Sequence, residues 1–369
     1  MSTRGLEGVV AAESSISSII DGVLTYRGID IDELAEHASF EEVIYLLWYG
    51  KLPNKSELDQ LTKDLAENAT IPQGLIDQIR LFPKDIHPMG ALRTAISALG
   101  LYDQEADVMD EEANLRKAVR IQAKIGTIVT AFARIRAGKE PVAPRTNLGI
   151  AANFLYMLTG EEPSPISVEA FNKALVLHAD HEFNASTFTG RVTVATLSDM
   201  YSGITSAIGA LKGPLHGGAN EQVMATLESI GEVEKAEEYI MNALAKKEKI
   251  MGFGHRVYKD GDPRAKHLKA MSKALTEMTG QPKWYDMSIK INEVVEREKG
   301  LKPNVDFYSA SVYHSLGIER DLFTPIFAVS RASGWIGHIL EQYSNNRLIR
   351  PRADYVGPAK QKYIPLNER

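Results

Sequence analysis

The sequence contains no cysteine and no long uninterrupted apolar run. Because none of the 369 residues is cysteine, disulfides, thiolate metal sites, iron–sulfur clusters and cysteine nucleophiles are all excluded. No stretch approaches the roughly 18 consecutive apolar residues that a membrane-spanning helix requires. The first residues lack the charged and apolar regions of a secretory signal. We therefore expect a soluble, cytoplasmic protein with no membrane partner.

A basic excess is also missing. The chain has 42 Lys and Arg against 48 Asp and Glu, a formal net charge of −6, so the composition predicts no nucleic-acid partner. Hydrophobic residues make up 44% and charged residues 24% of the chain, which is typical of a globular protein. A chain of this length can bury a large core, either as one large domain or as two ordinary ones.

Helical periodicity dominates the chain. Ser39 and Glu42 have the spacing of a capping box at a helix start. One long helix is predicted over residues 111–137, and Asp262 followed by Pro263 predicts another that ends before Gly280. Further helical patterns, with ends placed to within a few residues, cover about 148–158, 167–182, 197–211, 218–229, 234–247, 284–298 and 322–344.

Strand signals are scarce. Residues 8–10 and 22–26 predict two short strands, which would form one small N-terminal hairpin, so the predicted fold class is all-α. Glycine-rich turns alternate with Glu- and Lys-rich helices between about residues 213 and 306. The last stretch, residues 344–369, is polar and contains prolines, which predicts an extended tail that lies on a partner subunit.

Two histidines, His178 and His181, are three residues apart on one predicted helix face, a spacing that a metal-binding pair can have. Two ligands need a third and a fourth, and neither an HExxH motif nor cysteine supplies them. The alternative is a buried, hydrogen-bonded histidine at a helix end, and His178 fits that description better. A helical metal-dependent hydrolase built on His178, Asp180 and His181 is therefore a remote alternative, and no metal site is predicted.

Two further histidines lie in glycine-rich turns. His216 precedes Gly217 and Gly218, where small residues admit a ligand and a nearby helix N-terminus keeps the imidazole neutral. A simple helix-start turn explains the same residues equally well. His255 follows a Gly-Phe-Gly run and precedes cationic residues, which suits an anionic ligand. The alternative for His255 is a tight turn with solvated charges.

Three arginines and one aspartate complete the candidate set. Arg331 lies in an otherwise apolar helical run, where a guanidinium needs an anion to offset its desolvation. Arg264 begins a helix, where a cation opposes the dipole, and Arg350 lies in the tail; a structural salt bridge explains either one singly. Asp306 has apolar neighbours on both sides, which would raise its pKa toward that of a useful base, but helix N-capping explains the same residue.

Together these motifs resemble those of the citrate synthase family, and the resemblance covers nearly the whole chain. The N-terminal segments 5–8, 24–28 and 46–50 are similar to the shorter bacterial and archaeal branch. The motifs that carry the resemblance are residues 177–181 (LHADH), 213–220 (GPLHGGAN), 252–259 (GFGHRVYK), 262–264 (DPR), 304–306 (NVD) and 329–331 (VSR).

The resemblance implies a Claisen-type condensation of oxaloacetate with acetyl-CoA, followed by hydrolysis of citryl-CoA to citrate and CoA, the entry step of the tricarboxylic acid cycle. It also implies a helical homodimer whose active site is shared between the subunits. Each subunit would have a large dimerisation domain, residues 1–216 and 312–369, and a small, mobile, CoA-binding domain, residues 217–311. Acetyl-CoA would be a co-substrate, and no cofactor would be bound permanently.

The resemblance also implies roles for individual residues. Asp306 would remove a methyl proton of acetyl-CoA while a neutral His216 donates a hydrogen bond to the thioester oxygen. His255 would polarise the ketone of oxaloacetate and protonate the new alkoxide. Arginine and histidine side chains would bind the two carboxylates of oxaloacetate. One of them, Arg350, would reach over from the other subunit. These oxaloacetate-binding residues are His181, Arg264, Arg331 and Arg350.

The CoA contacts and the choice of acyl group complete the expectations. CoA would lie on residues 249–259, with Ile250, Gly252 and Phe253 near the adenine and Lys259 near a phosphate. A close alternative is 2-methylcitrate synthase, which uses propionyl-CoA, because one methylene discriminates by only about 1–3 kcal/mol. A non-catalytic helical scaffold would explain the helices, but it would leave the Gly-His turns without a purpose.

Overall fold

The structure is a computed structural model in which residues 4–6, 8–255, 258 and 260–369 are described. Sixteen α-helices occupy this part of the chain, and its one sheet is small and N-terminal. The fold is therefore all-α, as predicted. Within the same residues, no helix combines the length and the apolar character that crossing a membrane requires.

The helices follow one another along the chain with short connections. They are α1 (Ile31–His37), α2 (Phe40–Tyr49), α3 (Lys55–Glu67), α4 (Gln73–Leu81), α5 (Pro88–Leu99), α6 (Glu111–Arg136), α7 (Ile150–Thr159), α8 (Pro165–His178), α9 (Ala185–Val194), α10 (Met200–Leu211), α11 (Ala219–Ile230), α12 (Ala236–Ala245), α13 (Pro263–Met278), α14 (Lys283–Lys299), α15 (Val305–Ser315) and α16 (Phe323–Ser344).

Local sequence signals explain where several helices begin. The predicted capping box is confirmed, because the Ser39 hydroxyl accepts from the backbone N–H of Glu42, and the Glu42 carboxylate accepts from the backbone N–H of Ser39 at 2.7 Å. Asp262 caps α13, and Pro263 occupies its first position, where the missing N–H of proline costs no helical hydrogen bond. The long helix α6 ends within one residue of its predicted limit.

The predicted N-terminal hairpin has a different first strand. Residues 8–10 form no strand; the sheet consists of β1 (Ser17–Ile20), β2 (Val23–Tyr26) and β3 (Ile29–Asp30), antiparallel in that order. Asp21 and Gly22, with φ values of 51° and 80°, connect β1 to β2. Two central residues with positive φ form the turn that best matches the twist of a hairpin, so this Asp-Gly pair fixes the register.

The helix predicted over residues 167–182 is also too long. Helix α8 ends at His178, and α9 begins after Asn184, whose side chain accepts from the backbone N–H of Thr187 at 3.1 Å. Asparagine is a strongly preferred N-cap, so the chain restarts a helix there. The break places His181 in the loop between the two helices.

Helix α16 lies at the centre of the core. Every residue from Phe323 to Ile339 is buried, and the helix packs against α2, α6, α8, α9 and α10. A helix that is covered on all sides belongs to the interior of a large core. Arg331 lies in the middle of this buried stretch, so its guanidinium is removed from bulk water by the fold itself.

Helices α11 to α15 form a second group. Within it, α13 packs against α14 and α15, α11 packs against α15, and α12 packs against α14. The group meets the rest of the protein through contacts of α13 with α1 and α8, of α15 with α8, and of α11 with α16. The two groups of helices thus have a long common boundary, and the candidate site lies along it.

Candidate active site

One cleft of about 830 Å³ collects six of the predicted catalytic and substrate-binding side chains. Three of them come from the loops before residue 217 and from α16, and three come from residues 255–306. They are His181, His216, Arg331, His255, Arg264 and Asp306. Motifs that are far apart in sequence therefore meet in one place.

The N-terminal hairpin holds the loop that carries His181. The Ser17 hydroxyl donates to the Asp180 carboxylate at 2.5 Å and accepts from the backbone N–H of Glu182 at 2.9 Å. The Tyr26 hydroxyl lies 3.2 Å from the carbonyl oxygen of Asp180. Both neighbours of His181 are thus fixed by β1 and β2, which gives the hairpin a role in the geometry of the cleft.

His216 lies in a turn that only glycine allows. A Cβ atom at residue 217 would lie 2.5 Å from the carbonyl oxygen of Leu211, so the position after His216 must be Gly217. The backbone N–H of Ser186, in the first turn of α9, donates to His216 Nε2 at 3.3 Å, and the Ser186 hydroxyl lies 2.8 Å from the same nitrogen. Because a backbone N–H can only donate, Nε2 is the acceptor, and the neutral ring carries its proton on Nδ1. No sequence pattern marks Ser186, because its contact with His216 depends on the break between α8 and α9.

His255 is oriented by Tyr258. The backbone N–H of Tyr258 donates to His255 Nδ1 at 3.4 Å, and the two ring centroids are 4.5 Å apart. The neutral His255 ring therefore carries its proton on Nε2. The Tyr258 hydroxyl lies 3.1 Å from His181 Nε2. Tyr258 was not among the predicted site residues, and its place within the 252–259 motif is its one sequence signal.

The three imidazoles of the cleft are neutral near pH 7. Burial, followed by the charge of Arg331, lowers the pKa of His216 to about 4. Burial and the charge of Arg264 lower the pKa of His255. The same two causes hold the pKa of His181 well below its usual value. Neutral imidazoles can donate a hydrogen bond from one nitrogen without adding a positive charge.

Asp306 lies in the first turn of α15. Asn304 is the N-cap of this helix, and its side chain accepts from the backbone N–H of Asp306 at 3.0 Å, so the N-cap alternative for Asp306 is wrong. Within the described residues, the hydrogen bonds of Asp306 involve its backbone, and its carboxyl accepts from no donor. Burial raises the pKa of this carboxyl to about 6, against the lowering effect of Arg264. A carboxylate of this proton affinity is a useful base near neutral pH.

One edge of the Arg264 guanidinium is paired with a buried carboxylate. Its Nε and Nη2 donate to the two carboxylate oxygens of Asp262 at 2.9 and 2.8 Å. The side chains of Arg264 and Asp262 are 3% and 0% exposed. Burial alone would lower the pKa of Arg264, but the charge and hydrogen bonds of Asp262 raise it. The guanidinium therefore stays charged, and among the described residues its Nη1 has no acceptor.

Arg331 has no carboxylate in contact with it among the described residues. Its Nε donates to the carbonyl oxygen of His178 at 2.7 Å, and its guanidinium lies 4.7 Å from the ring centroid of Phe327. Burial lowers its pKa to about 10, and the charge of Asp180 opposes this effect. A buried guanidinium with free N–H groups needs an anion, and a carboxylate matches its planar fork.

His178 lies outside the cleft. It is fully buried at the end of α8, its Nδ1 lies 2.7 Å from the carbonyl oxygen of Ala174, and burial lowers its pKa to about 3. The prediction of a buried, hydrogen-bonded histidine is thus confirmed. Nowhere in the described ranges do three or more His, Asp or Glu side chains group as metal ligands would, so the metal-dependent hydrolase finds no ligand set there.

The predicted CoA segment offers mainly its backbone to a ligand. Ile250 is half-buried, and Gly252 and Phe253 are buried. The Phe253 ring packs against Phe307, with centroids 4.5 Å apart, so this side chain belongs to the core. Lys259 lies outside the described residues. The predicted contacts with the adenine and the phosphate stay predictions.

Arg350 does not line the cleft of its own chain. It is exposed and lines a second cavity of about 850 Å³, together with the N-terminal segment and Arg191. Every residue after it is exposed as well, which agrees with the expected extended tail. The contact of Arg350 with the cleft of another subunit stays a prediction.

The cleft defines a class of enzyme. The cleft of this all-α fold is lined by a carboxyl group with a pKa near 6. Neutral imidazoles and two buried guanidiniums line the same cleft. This combination can move a proton at a carbon acid, stabilise a developing oxyanion and hold a small polyanion. No thiol takes part, because the chain has none.

Comparisons with known proteins identify the family. The profile described as citrate synthase, C-terminal domain, matches residues 5–352. Citrate synthase 2 of Bacillus subtilis (strain 168) is 71% identical over 368 residues, which cover 100% of this chain and 99% of the relative. The citrate synthase of Haloferax volcanii is 54% identical, with 99% and 98% covered. The chain belongs to the citrate synthase family.

A solved structure agrees with this assignment. The ternary complex of carboxymethyl coenzyme A and oxaloacetate with citrate synthase from Thermoplasma acidophilum is similar with a TM-score of 0.93 at 35% identity, and the match covers 99% of each chain. 2-Methylcitrate synthase 1 of Corynebacterium glutamicum is a more distant relative, 43% identical over 99% of this chain and 98% of its own. The predicted enzyme class, an acyltransferase that works by condensation, is confirmed.

Proposed function

We propose that this enzyme condenses oxaloacetate with acetyl-CoA and hydrolyses the citryl thioester to citrate and CoA, as the entry step of the tricarboxylic acid cycle in the cytoplasm. Acetyl-CoA is a co-substrate in this proposal, and no cofactor is bound permanently. The observation that carries the proposal is the meeting of Asp306, His216 and His255 in one cleft with two buried guanidiniums. A relative whose complex contains oxaloacetate and a CoA analogue supports the choice of substrates.

Proton removal from the thioester is the first step. The methyl group of acetyl-CoA is a weak carbon acid, so a carboxylate base needs help from a group that stabilises the enolate oxygen. Asp306 takes the proton, and the Nδ1–H of His216 donates to the thioester oxygen. This assignment is supported by the Ser186 N–H bond, which leaves Nδ1 as the protonated nitrogen.

Carbon–carbon bond formation follows. The enol carbon attacks the ketone of oxaloacetate, and the ketone oxygen becomes an alkoxide. His255 donates from Nε2 to that oxygen and then transfers the proton to it, which the Tyr258 N–H bond to Nδ1 supports. Water then cleaves the citryl thioester, releasing citrate and the CoA thiol. No acyl-enzyme forms, so the lack of cysteine is consistent with the reaction.

The two carboxylates of oxaloacetate bind the guanidiniums of Arg331 and Arg264. Arg331 offers its Nη groups and Arg264 its Nη1, and forked pairing both orients and neutralises the substrate. His181 adds a hydrogen bond. Arg350 would come from the second subunit of a homodimer, which is supported by its exposed position in an extended tail.

Domain motion is part of the same proposal. Residues 217–311 would form the small, mobile, CoA-binding domain, and residues 1–216 and 312–369 the large one. The packing of α11 to α15 mainly on one another supports this division, although α15 runs across the limit at residue 311. Closure of the small domain would bring Ile250, Gly252, Phe253 and Lys259 to CoA and exclude water.

The release of CoA tests the proposal directly. Because the chain has no cysteine, a thiol reagent reports CoA without background from the protein. With oxaloacetate present, we expect CoA release from acetyl-CoA to exceed that from propionyl-CoA in kcat/KM. A preference for propionyl-CoA would make the enzyme a 2-methylcitrate synthase, and CoA release that is independent of oxaloacetate would contradict condensation altogether.

A further inference from the structure

Tyr258 contacts two imidazoles of the cleft at once. Its backbone N–H donates to His255 Nδ1 at 3.4 Å, and its hydroxyl lies 3.1 Å from His181 Nε2. Its ring lies 4.5 Å from the His255 ring and 5.6 Å from the His181 ring, measured between centroids. Tyr258 is 4% exposed, so it contacts both histidines from the protein interior and does not line the open cleft.

The direction of the hydroxyl bond follows from the available acceptors. Within the described residues, His181 Nε2 is the acceptor within hydrogen-bond distance of the Tyr258 hydroxyl. A buried hydroxyl that leaves its proton unpaired loses free energy, and a neutral imidazole nitrogen is a better acceptor than a phenol oxygen. The Tyr258 hydroxyl therefore donates, and the neutral His181 ring carries its proton on Nδ1.

We propose that Tyr258 is a positioning residue that fixes the tautomers of both substrate-facing histidines. Its backbone leaves His255 with the proton on Nε2, and its hydroxyl leaves His181 with the proton on Nδ1. The inference rests on the proposed function for the identity of the substrate, oxaloacetate. The protonated nitrogen of each ring is then fixed before the substrate arrives, so no proton has to move between ring nitrogens upon binding.

Tyr258→Phe separates the hydroxyl from the rest of the side chain. The variant keeps the ring contact and the backbone bond to His255 and loses the bond to His181. We expect KM for oxaloacetate to rise about 3- to 10-fold, the effect of one lost hydrogen bond, while kcat and KM for acetyl-CoA stay within about twofold. Tyr343→Phe is the matched control, because it removes a hydroxyl that donates to the Ser198 carbonyl at 2.6 Å outside the cleft.

Nitrogen NMR of the histidine-labelled full-length protein provides a reading that does not depend on turnover. His181 is assigned by its absence from the spectrum of His181→Gln. In the wild type we expect His181 to be protonated on Nδ1, and in Tyr258→Phe we expect its two nitrogen signals to move toward a tautomer mixture. Tyr343→Phe should leave them unchanged.

The outcomes distinguish this inference from the proposed function. A wild-type His181 protonated on Nε2, unmoved signals in Tyr258→Phe, or an unchanged KM for oxaloacetate would each overturn the positioning role. If Tyr258→Phe fails to fold, the wild-type spectrum still decides the tautomer. A wild type that shows no condensation would refute the proposed function, while the spectra would still test whether Tyr258 sets the tautomer.

Discussion

The carboxylate of Asp262 binds the guanidinium of Arg264 through two parallel hydrogen bonds of 2.9 and 2.8 Å, with both side chains buried. The same carboxylate accepts from the backbone N–H of Val305 at 3.0 Å, next to Asp306. One side chain thus joins a substrate-binding arginine to the helix that carries the proposed base. Loss of its charge should affect both stability and substrate binding.

The first prediction concerns Asp262→Asn. Removing one charge of a buried pair leaves the other uncompensated, so we expect a loss of about 3 kcal/mol in the free energy of unfolding and a rise in KM for oxaloacetate. Urea denaturation at pH 7 and initial-rate kinetics measure the two effects. Asp59→Asn, which breaks the exposed Lys55 pair, should change neither. Equal stability losses in the two variants would contradict the expectation.

The second prediction concerns Asp306, whose burial makes it a source of instability. Its pKa is about 6 in the folded protein, against its ordinary value of 3.8. Between about pH 4 and pH 6 the unfolded chain therefore loses the proton while the folded chain keeps it. Stability therefore falls across this window. Asp306→Asn should match the wild type below pH 4 and exceed it by about 3 kcal/mol above pH 6.

The same carboxyl controls the rate. Asp306→Asn should lower kcat by about 10²- to 10⁴-fold, as expected for a lost general base. In the wild type, kcat/KM should rise with pH through about 6 as Asp306 ionises. His216, with a pKa of about 4, is already neutral there. The low-pH side of the pH–rate profile should therefore fit the ionisation of a single group. A two-proton limb, or an Asn variant that is less stable at pH 8, would argue against this assignment.

The third prediction concerns Arg331→Met. The guanidinium has no carboxylate partner among the described residues. Its loss should cost little stability, because removing a desolvated charge offsets the lost bond to the His178 carbonyl. KM for oxaloacetate should rise at least about 100-fold, the scale of a lost buried charge-assisted pair. Arg116→Met, at an exposed ion pair with Glu105, is the matched control. Thermal unfolding measures the stability of both variants. If Arg331→Met retained the wild-type affinity for oxaloacetate, Arg331 would be excluded as the anion site.

The fourth prediction concerns the order of binding. If oxaloacetate favours the closed arrangement of the two helix groups, it should tighten the binding of an acetyl-CoA analogue several-fold, and the coupling must be reciprocal. Titration calorimetry with and without oxaloacetate measures it. Arg331→Met should lose the coupling at oxaloacetate concentrations that saturate the wild type. Equal analogue affinity with and without oxaloacetate would refute closure.

The candidate site was easier to predict from the sequence than the limits of the elements. His216, His255 and Arg331 could be recognised because their neighbours are unusual for their type: glycines beside an imidazole, or apolar residues around a guanidinium. The supporting contacts could not be predicted. Whether Tyr258 reaches His181, or Ser186 reaches His216, depends on which loops meet in space, and no local pattern encodes that.

The errors in the fold have local causes. A continuous periodic pattern extended the predicted helix through His181, because residues 179–182 contain no glycine or proline that would mark the end of α8. Residues 8–10 have strand-like composition, but a strand needs a partner in register, and the Asp21–Gly22 turn gives Val23–Tyr26 its partner at Ser17–Ile20 instead. Long-range pairing thus overrode local propensity.

The contacts of the hairpin bear on how the protein can be shortened. Ser17 and Tyr26 hold the residues on either side of His181, yet the buried helices from α2 onward supply most of the core. A truncation that removes β1 and β2 would therefore leave a helical body in place while freeing the α8–α9 loop. Spectroscopic evidence of native helix content would then be a poor guide to whether such a fragment still binds its substrate, and fusion partners are better attached before residue 15.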